Sequence, residues 1–226
     1  MNLEAHYNEL YKTSITKIND DAYDIDRLIN SSSDNRFGIT LLIRPSESVK
    51  NEIQKFLRKL QLIEPNQYYY KNSDIHITVM SIISCYNGFQ LKHIELSDYI
   101  KVIKQSLITN PNIEIKFKGI TASSSCIMTK GFMNTESLNI IRNNLRENFK
   151  NTILEQSIDK RYSIQTAHST VVRFQEKFSN KLEFLNIINE FKDYDFGTFS
   201  PQSMELVFND WYQKEKHVIK LHEFSF

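Results

Sequence analysis

Residues 75–82 read IHITVMSI and residues 167–174 read AHSTVVRF. Each is a short apolar run rich in Val and Ile, which predicts a strand. Each carries a histidine followed two places later by threonine: His76 with Thr78, and His168 with Thr170. On a strand, positions i and i+2 share a face, so each imidazole travels with a hydroxyl. The surroundings of the two runs are alike. Before the first lies FGITLLIR from Phe37, read as a strand. Pro45 to Ser48 then opens an amphipathic helix with Val49, Ile53, Phe56, Leu57 and Leu60 on one side. Before the second, Cys126 to Phe132 reads as a strand, and Thr135 opens a helix with Leu138, Ile141, Leu145 and Phe149 on one side. Phe37 and His76 are 39 positions apart, Cys126 and His168 are 42. Each histidine strand is followed by a helix (Ser97 to Leu107, Lys181 to Phe191) and a further strand (Ile113 to Ile120, Met204 to Asn209). A unit used twice predicts two similar lobes that place the two histidine strands across a shared cleft.

The chain has 226 residues, 40% hydrophobic and 24% charged, enough to bury its own core. Extensive disorder is excluded. With 5 Gly and 4 Pro and no linker-like stretch, residues 37–226 read as one bilobal domain with interleaved lobes. Residues 1–36 read as a helical extension of one or two helices, from Leu3, Tyr7, Leu10 and Tyr11 and then Tyr23, Ile25 and Ile29. The formal net charge is +1, so nothing pulls the whole molecule to duplex DNA or an anionic membrane. Cys85 and Cys126 form no ligand pattern, and no metal or other cofactor is expected. The polar N-terminal stretch is unlike a signal peptide, and no run of about 18 apolar residues occurs. A cytoplasmic monomer without membrane contact is the expectation.

Two imidazoles and two hydroxyls around one cleft suit phosphodiester chemistry. A neutral histidine takes a proton from the attacking oxygen, a protonated one gives a proton to the leaving oxygen, and hydroxyls hold the non-bridging oxygens. Unperturbed imidazoles place the optimum of such a reaction within about two pH units of neutrality. The bland alternative is two half-buried histidines on unrelated strands, with Thr there for its β propensity. Three more residues are candidates for substrate binding. Tyr70, with Tyr68 and Tyr69, precedes the first histidine strand, where an aromatic ring either stacks a nucleobase or packs. Phe174 shares a face with His168 and Thr170 by alternation. Arg173 falls on the opposite face unless the strand ends or twists there. Trp211, between the last two expected strands, is read as a core or rim residue, or as the cleft floor. His6, His93, His217 and His222 have no partner at i+2 and no metal spacing.

The duplicated HxT, as HITVMSI at 76–82 and HSTVVRF at 168–174, resembles the 2H phosphoesterase superfamily. That group includes bacterial 2′-5′ RNA ligase/2′,3′-cyclic phosphodiesterases and the cyclic phosphodiesterases of plants and yeast. The resemblance runs roughly from Phe37 to the C-terminus. Its second copy is the closer, because Arg173 falls where members often carry a basic residue. Met80-Ser81 and the helical extension depart from the pattern. The resemblance implies a bilobal α+β fold, two pseudo-symmetric antiparallel sheets with outer helices and a central cleft, with metal-free catalysis by His76 and His168 and phosphate binding by Thr78 and Thr170. The expected function is a metal-independent phosphodiesterase acting on 2′,3′-cyclic phosphates or on 2′,5′ or RNA-type diesters. The alternatives are an enzyme that degrades oligonucleotide second messengers and a non-catalytic nucleotide or RNA-end binding module. The near-neutral charge favours a small nucleotide or an RNA end as partner.

Overall fold

The strand predicted from Phe37 runs from Arg36 to Ile43 (β1) in the computed structural model, which describes residues 2–226. Ser46 then caps the helix Glu47–Ile63 (α2), its Oγ accepting from the Val49 N–H at 3.5 Å. Val49, Ile53, Phe56, Leu57 and Leu60 of α2 are buried, as their helical spacing predicts. Next come Tyr68–Tyr69 (β2), the strand Ile77–Asn87 that directly follows His76 (β3), helix Leu96–Ser106 (α3) and strand Ile115–Ala122 (β4). The second unit comprises Cys126–Met133 (β5), Ser137–Lys150 (α4), Ser169–Arg173 (β6) and Lys181–Glu190 (α5). Strands Asp195–Phe199 (β7), Ser203–Asp210 (β8) and Ile219–Ser225 (β9) complete the chain. Of these, β2 and β7 have no counterpart in the sequence reading.

Two antiparallel sheets result, ordered β3-β1-β8-β9 and β2-β6-β5-β4-β7. Each unit gives its closing strand away: β4 pairs with β5 of the second unit, and β8 pairs with β1 of the first. The helices cross as well. Helix α2 packs on β6, β7 and α5, while α4 packs on β3 and α3. One continuous core spans both sheets.

Bulges decide which side chains the histidine strands present. Along β3, Thr78 faces Leu42 and Met80 faces Leu41, leaving Val79 as an extra residue; Ile82 is a second extra between Ser81 and Ile83. Along β6, Thr170 faces Met128 and Val172 faces Ile127, so Val171 is extra. Each added residue reverses the in–out alternation. Half-buried positions therefore recur every third residue, at Thr78, Ser81 and Ser84 and at Thr170 and Arg173. Gly38 makes room for the bulged part of β3, because a Cβ there would lie 2.2 Å from the Ile83 carbonyl oxygen.

Among the described residues 2–36 only Leu3–Asn19 (α1) is helical. It covers the second sheet: the Tyr7 hydroxyl donates to the Gly131 carbonyl at 3.1 Å and Ser14 Oγ to that of Ala122 at 2.9 Å. Of the one or two helices expected there, one forms, and the residues around Tyr23, Ile25 and Ile29 are not helical. There the backbone bonds outward, Asp24 N–H to Ser124 O and Asp26 N–H to Phe174 O, which competes with intrahelical pairing and holds the segment open against the core. Among the described residues no helix is long and apolar enough to cross a membrane.

Candidate active site

His76 immediately precedes β3 and His168 immediately precedes β6. Both histidines line one cleft, open to solvent, together with Thr78, Thr170, Arg173 and Tyr70.

Each imidazole is held through Nδ1. In His76, Nδ1 lies 2.7 Å from the Asp74 carbonyl oxygen. A carbonyl only accepts, so Nδ1 carries the proton and Nε2 is the atom that titrates. In His168, Nδ1 lies 2.6 Å from Thr166 Oγ1, a hydroxyl able to donate or accept. Asp74 is itself anchored, its carboxylate accepting from the Glu215 N–H at 2.9 Å and from the Ser73 hydroxyl at 2.9 Å. Burial pulls His76 down to about 4, helped by the Arg44, His168 and Arg173 charges, although its bond to Asp74 opposes this. Burial, with the Arg142 and His6 charges, pulls His168 to about 4 as well. Both rings are thus neutral at pH 7, and an anion between them would raise both.

The Val171 bulge corrects the sequence reading of β6. Arg173 turns to the side of Thr170 and lines the cleft, whereas Phe174 is fully buried and takes no part in it. Phe174 packs against Tyr23, Phe178 and Phe184, with ring centroids 5.8, 5.0 and 6.3 Å away. Regular alternation predicted the reverse for both residues. Arg173 Nε donates to the Tyr70 hydroxyl at 3.1 Å, and its other end lies 3.8 Å from Asp26. The Tyr70 ring is buried, edge-on to Tyr68, and so is not free to stack a base; its hydroxyl aims Arg173.

Four features escaped the sequence reading. Arg142 of α4 is fully buried, and its guanidinium donates to the carbonyls of Thr78 (3.0 Å), Val79 (3.0 Å) and Thr166 (2.8 Å). It ties the two histidine segments together from behind. Residues 151–168, which form neither helix nor strand, run along the free edge of β3, where the Ser157 N–H donates to Ile82 O and Ser157 Oγ accepts from the Ser84 N–H. This segment brings Arg161 and Tyr162 to the cleft. Asn209 and Gln213 line it too, on either side of Trp211 in the sequence. Among the described residues, no three His, Cys, Asp or Glu side chains gather as a metal site.

No family model matches the sequence, and no curated protein matches it. Solved structures do share the fold. TT0787 of Thermus thermophilus matches with a TM-score of 0.60 at 15% identity, covering 83% of this chain and 96% of that one. LigT of E. coli, complexed with 3′-AMP, matches at 0.59 and 12%, covering 84% and 98%. A third structure, described as a phosphoesterase, matches at 0.55 and 11%, covering 84% and 98%. Two interlaced antiparallel sheets with helices on their outer faces and a cleft between them define the bilobal fold of the LigT-like phosphoesterases, and this chain has that fold.

Proposed function

We propose that the chain is a metal-independent phosphodiesterase of the 2H type, hydrolysing 2′,3′-cyclic phosphates or 2′,5′ and RNA-type diesters of small nucleotides or RNA ends. The observation that carries this reading is the meeting of two equivalent His-x-Thr segments, each ending in a bulged strand, in one cleft. E. coli LigT, which shares the fold, has been seen with 3′-AMP and with phosphate, and that supports a nucleotide phosphate here. One imidazole takes a proton from water as its oxygen attacks phosphorus. The other protonates the ribose oxygen as the P–O bond breaks, leaving a phosphomonoester. Thr78, Thr170 and Arg173 hold the non-bridging oxygens. A module that only bound nucleotides would have no need of two titratable rings at the cleft floor.

The test is turnover, in excess EDTA, of cyclic mononucleotides, 2′,5′-dinucleotides and RNA with a cyclic phosphate end. At least one class should be hydrolysed. Activity that disappears and returns only with added Mg²⁺, Mn²⁺ or Zn²⁺ would overturn the two-histidine mechanism. The pH profile carries a second expectation. Because burial holds both imidazoles at about 4, the kcat/KM profile should fall on its alkaline side well below the 6.5 of a free imidazole. The bound diester anion favours an imidazolium, so the kcat profile should fall at a pH higher by about 1 or more. Coincident profiles centred near 6.5 would show that burial does not set these groups.

A further inference from the structure

Two polar residues lining the cleft, Asn209 and Gln213, make no hydrogen bond to the histidines, the threonines or Arg173; Asn209 Nδ2 donates to the Asp210 carbonyl at 2.8 Å, which leaves its oxygen as the free end of the amide. Asn209 ends β8 with Asp210, and Gln213 follows in the turn towards β9; their relative exposures are 2% and 4%. In both, the side-chain amide oxygen is buried and meets no donor. Buried acceptors are normally satisfied, so two orphans in one cleft point to a donor that arrives with a ligand. Gln213 also holds a left-handed backbone at φ 59°, a conformation that a glutamine keeps only when its surroundings enforce it. Between them in sequence, Trp211 lines the same cleft. The Arg161 guanidinium lies 4.2 Å from its ring centroid and that of Arg36 4.8 Å, and Tyr162, 65% exposed, follows Arg161 at the mouth. Flat guanidinium and aromatic groups are surfaces on which nucleobases stack.

We propose that Asn209, Trp211 and Gln213 form a base-reading subsite that selects a nucleobase bearing an exocyclic amino group. The proposal rests on the phosphodiesterase reading and extends it to the part of the substrate away from phosphorus. Two unpartnered amide oxygens accept from the amino group of adenine, cytosine or guanine. Uracil carries a carbonyl where cytosine carries its amino group, so at that position it sets acceptor against acceptor and leaves only its N3–H to donate. The stacked Arg161 and Trp211, with Tyr162, hold the plane of the base and contribute no preference among bases.

Trp211 is the only tryptophan in the chain, so intrinsic fluorescence reports on this subsite directly and independently of turnover. The ligands are the 3′-monophosphates of adenosine, cytidine, guanosine and uridine, and a methyl riboside 3-phosphate that lacks a base. At least one amino-bearing nucleotide should bind about tenfold or more tightly than 3′-UMP and the base-free phosphate. The matching 2′,3′-cyclic phosphates should rank the same way in kcat/KM. Gln213→Gly removes the amide and suits the left-handed backbone, so it should fold, as a melting curve verifies. In this variant the preference should shrink to about threefold or less. Equal binding of all five ligands by the wild type, or an undiminished preference in Gln213→Gly, would overturn the subsite. The expected ranking by fluorescence without turnover of any diester would support the subsite while overturning the phosphodiesterase reading.

Discussion

Replacing either His76 or His168 with alanine should lower kcat by about 10² to 10⁴-fold, and replacing both should cost far less than the product of the two losses. The two rings do different things in one displacement: one takes a proton as the other gives one. Neither can cover for the other, and once one transfer is lost the second has little left to accelerate. The fold should survive. Each ring is half-buried at the cleft floor with a single hydrogen bond, to Asp74 O or Thr166 Oγ1, and losing one such bond costs about 0.5–1.5 kcal/mol. The check is single-turnover kinetics on the best substrate of the panel, with thermal melts alongside. A variant with near-normal kcat removes that histidine from the mechanism.

The positions of both histidines were legible because short periodic runs report on their own strand. The same holds for α2, whose cap and buried stripe are local properties. Which way Arg173 and Phe174 point was not legible, because it depends on the neighbouring strand. A bulge is a mismatch in count between two partners, and the run 168–174 looks the same with or without an extra residue opposite Ile127 and Met128. Gly38 in β1 and Gly131 in β5, where a Cβ would lie 2.0 Å from the Ala167 carbonyl oxygen, were local traces of a close approach. The exchange of β4 and β8 between sheets was equally invisible: those strands read alike whichever sheet receives them. Segment 21–35 shows the converse failure, with helical spacing but backbone groups that bond to other parts of the fold. Arg142 did leave a signal. It lies four residues after Leu138 and three before Leu145, a charge on the apolar face of α4 with no acidic partner on that face. Such a residue is either misplaced or bonded to something across the core, and here three carbonyls receive it.

The second large effect is expected at that arginine. Arg142→Met should lower stability by about 2–4 kcal/mol, because three buried carbonyls lose donors at about 1–3 kcal/mol each, partly offset by no longer burying a charge. It should also lower kcat by about 10- to 100-fold. Arg142 grips Thr78 and Val79 on one side and Thr166, the partner of His168, on the other, so its loss loosens the spacing of the two rings, and misplacement on the order of 1 Å has effects of that size. A purely structural residue would change stability alone. Burial lowers the Arg142 guanidinium to about 10, so it remains a cation at neutral pH, and its charge helps hold His168 in the neutral form. Removing the charge therefore raises His168, and the alkaline limb of the kcat/KM profile should move to higher pH in Arg142→Met. Arg142→Lys keeps the cation and loses the fork: it should leave that limb near its wild-type position while recovering only part of the stability. Melting curves and pH profiles of the two variants separate the roles. A methionine variant that melts and titrates like the wild type would mean that the carbonyls find other donors and that the two lobes are held together elsewhere.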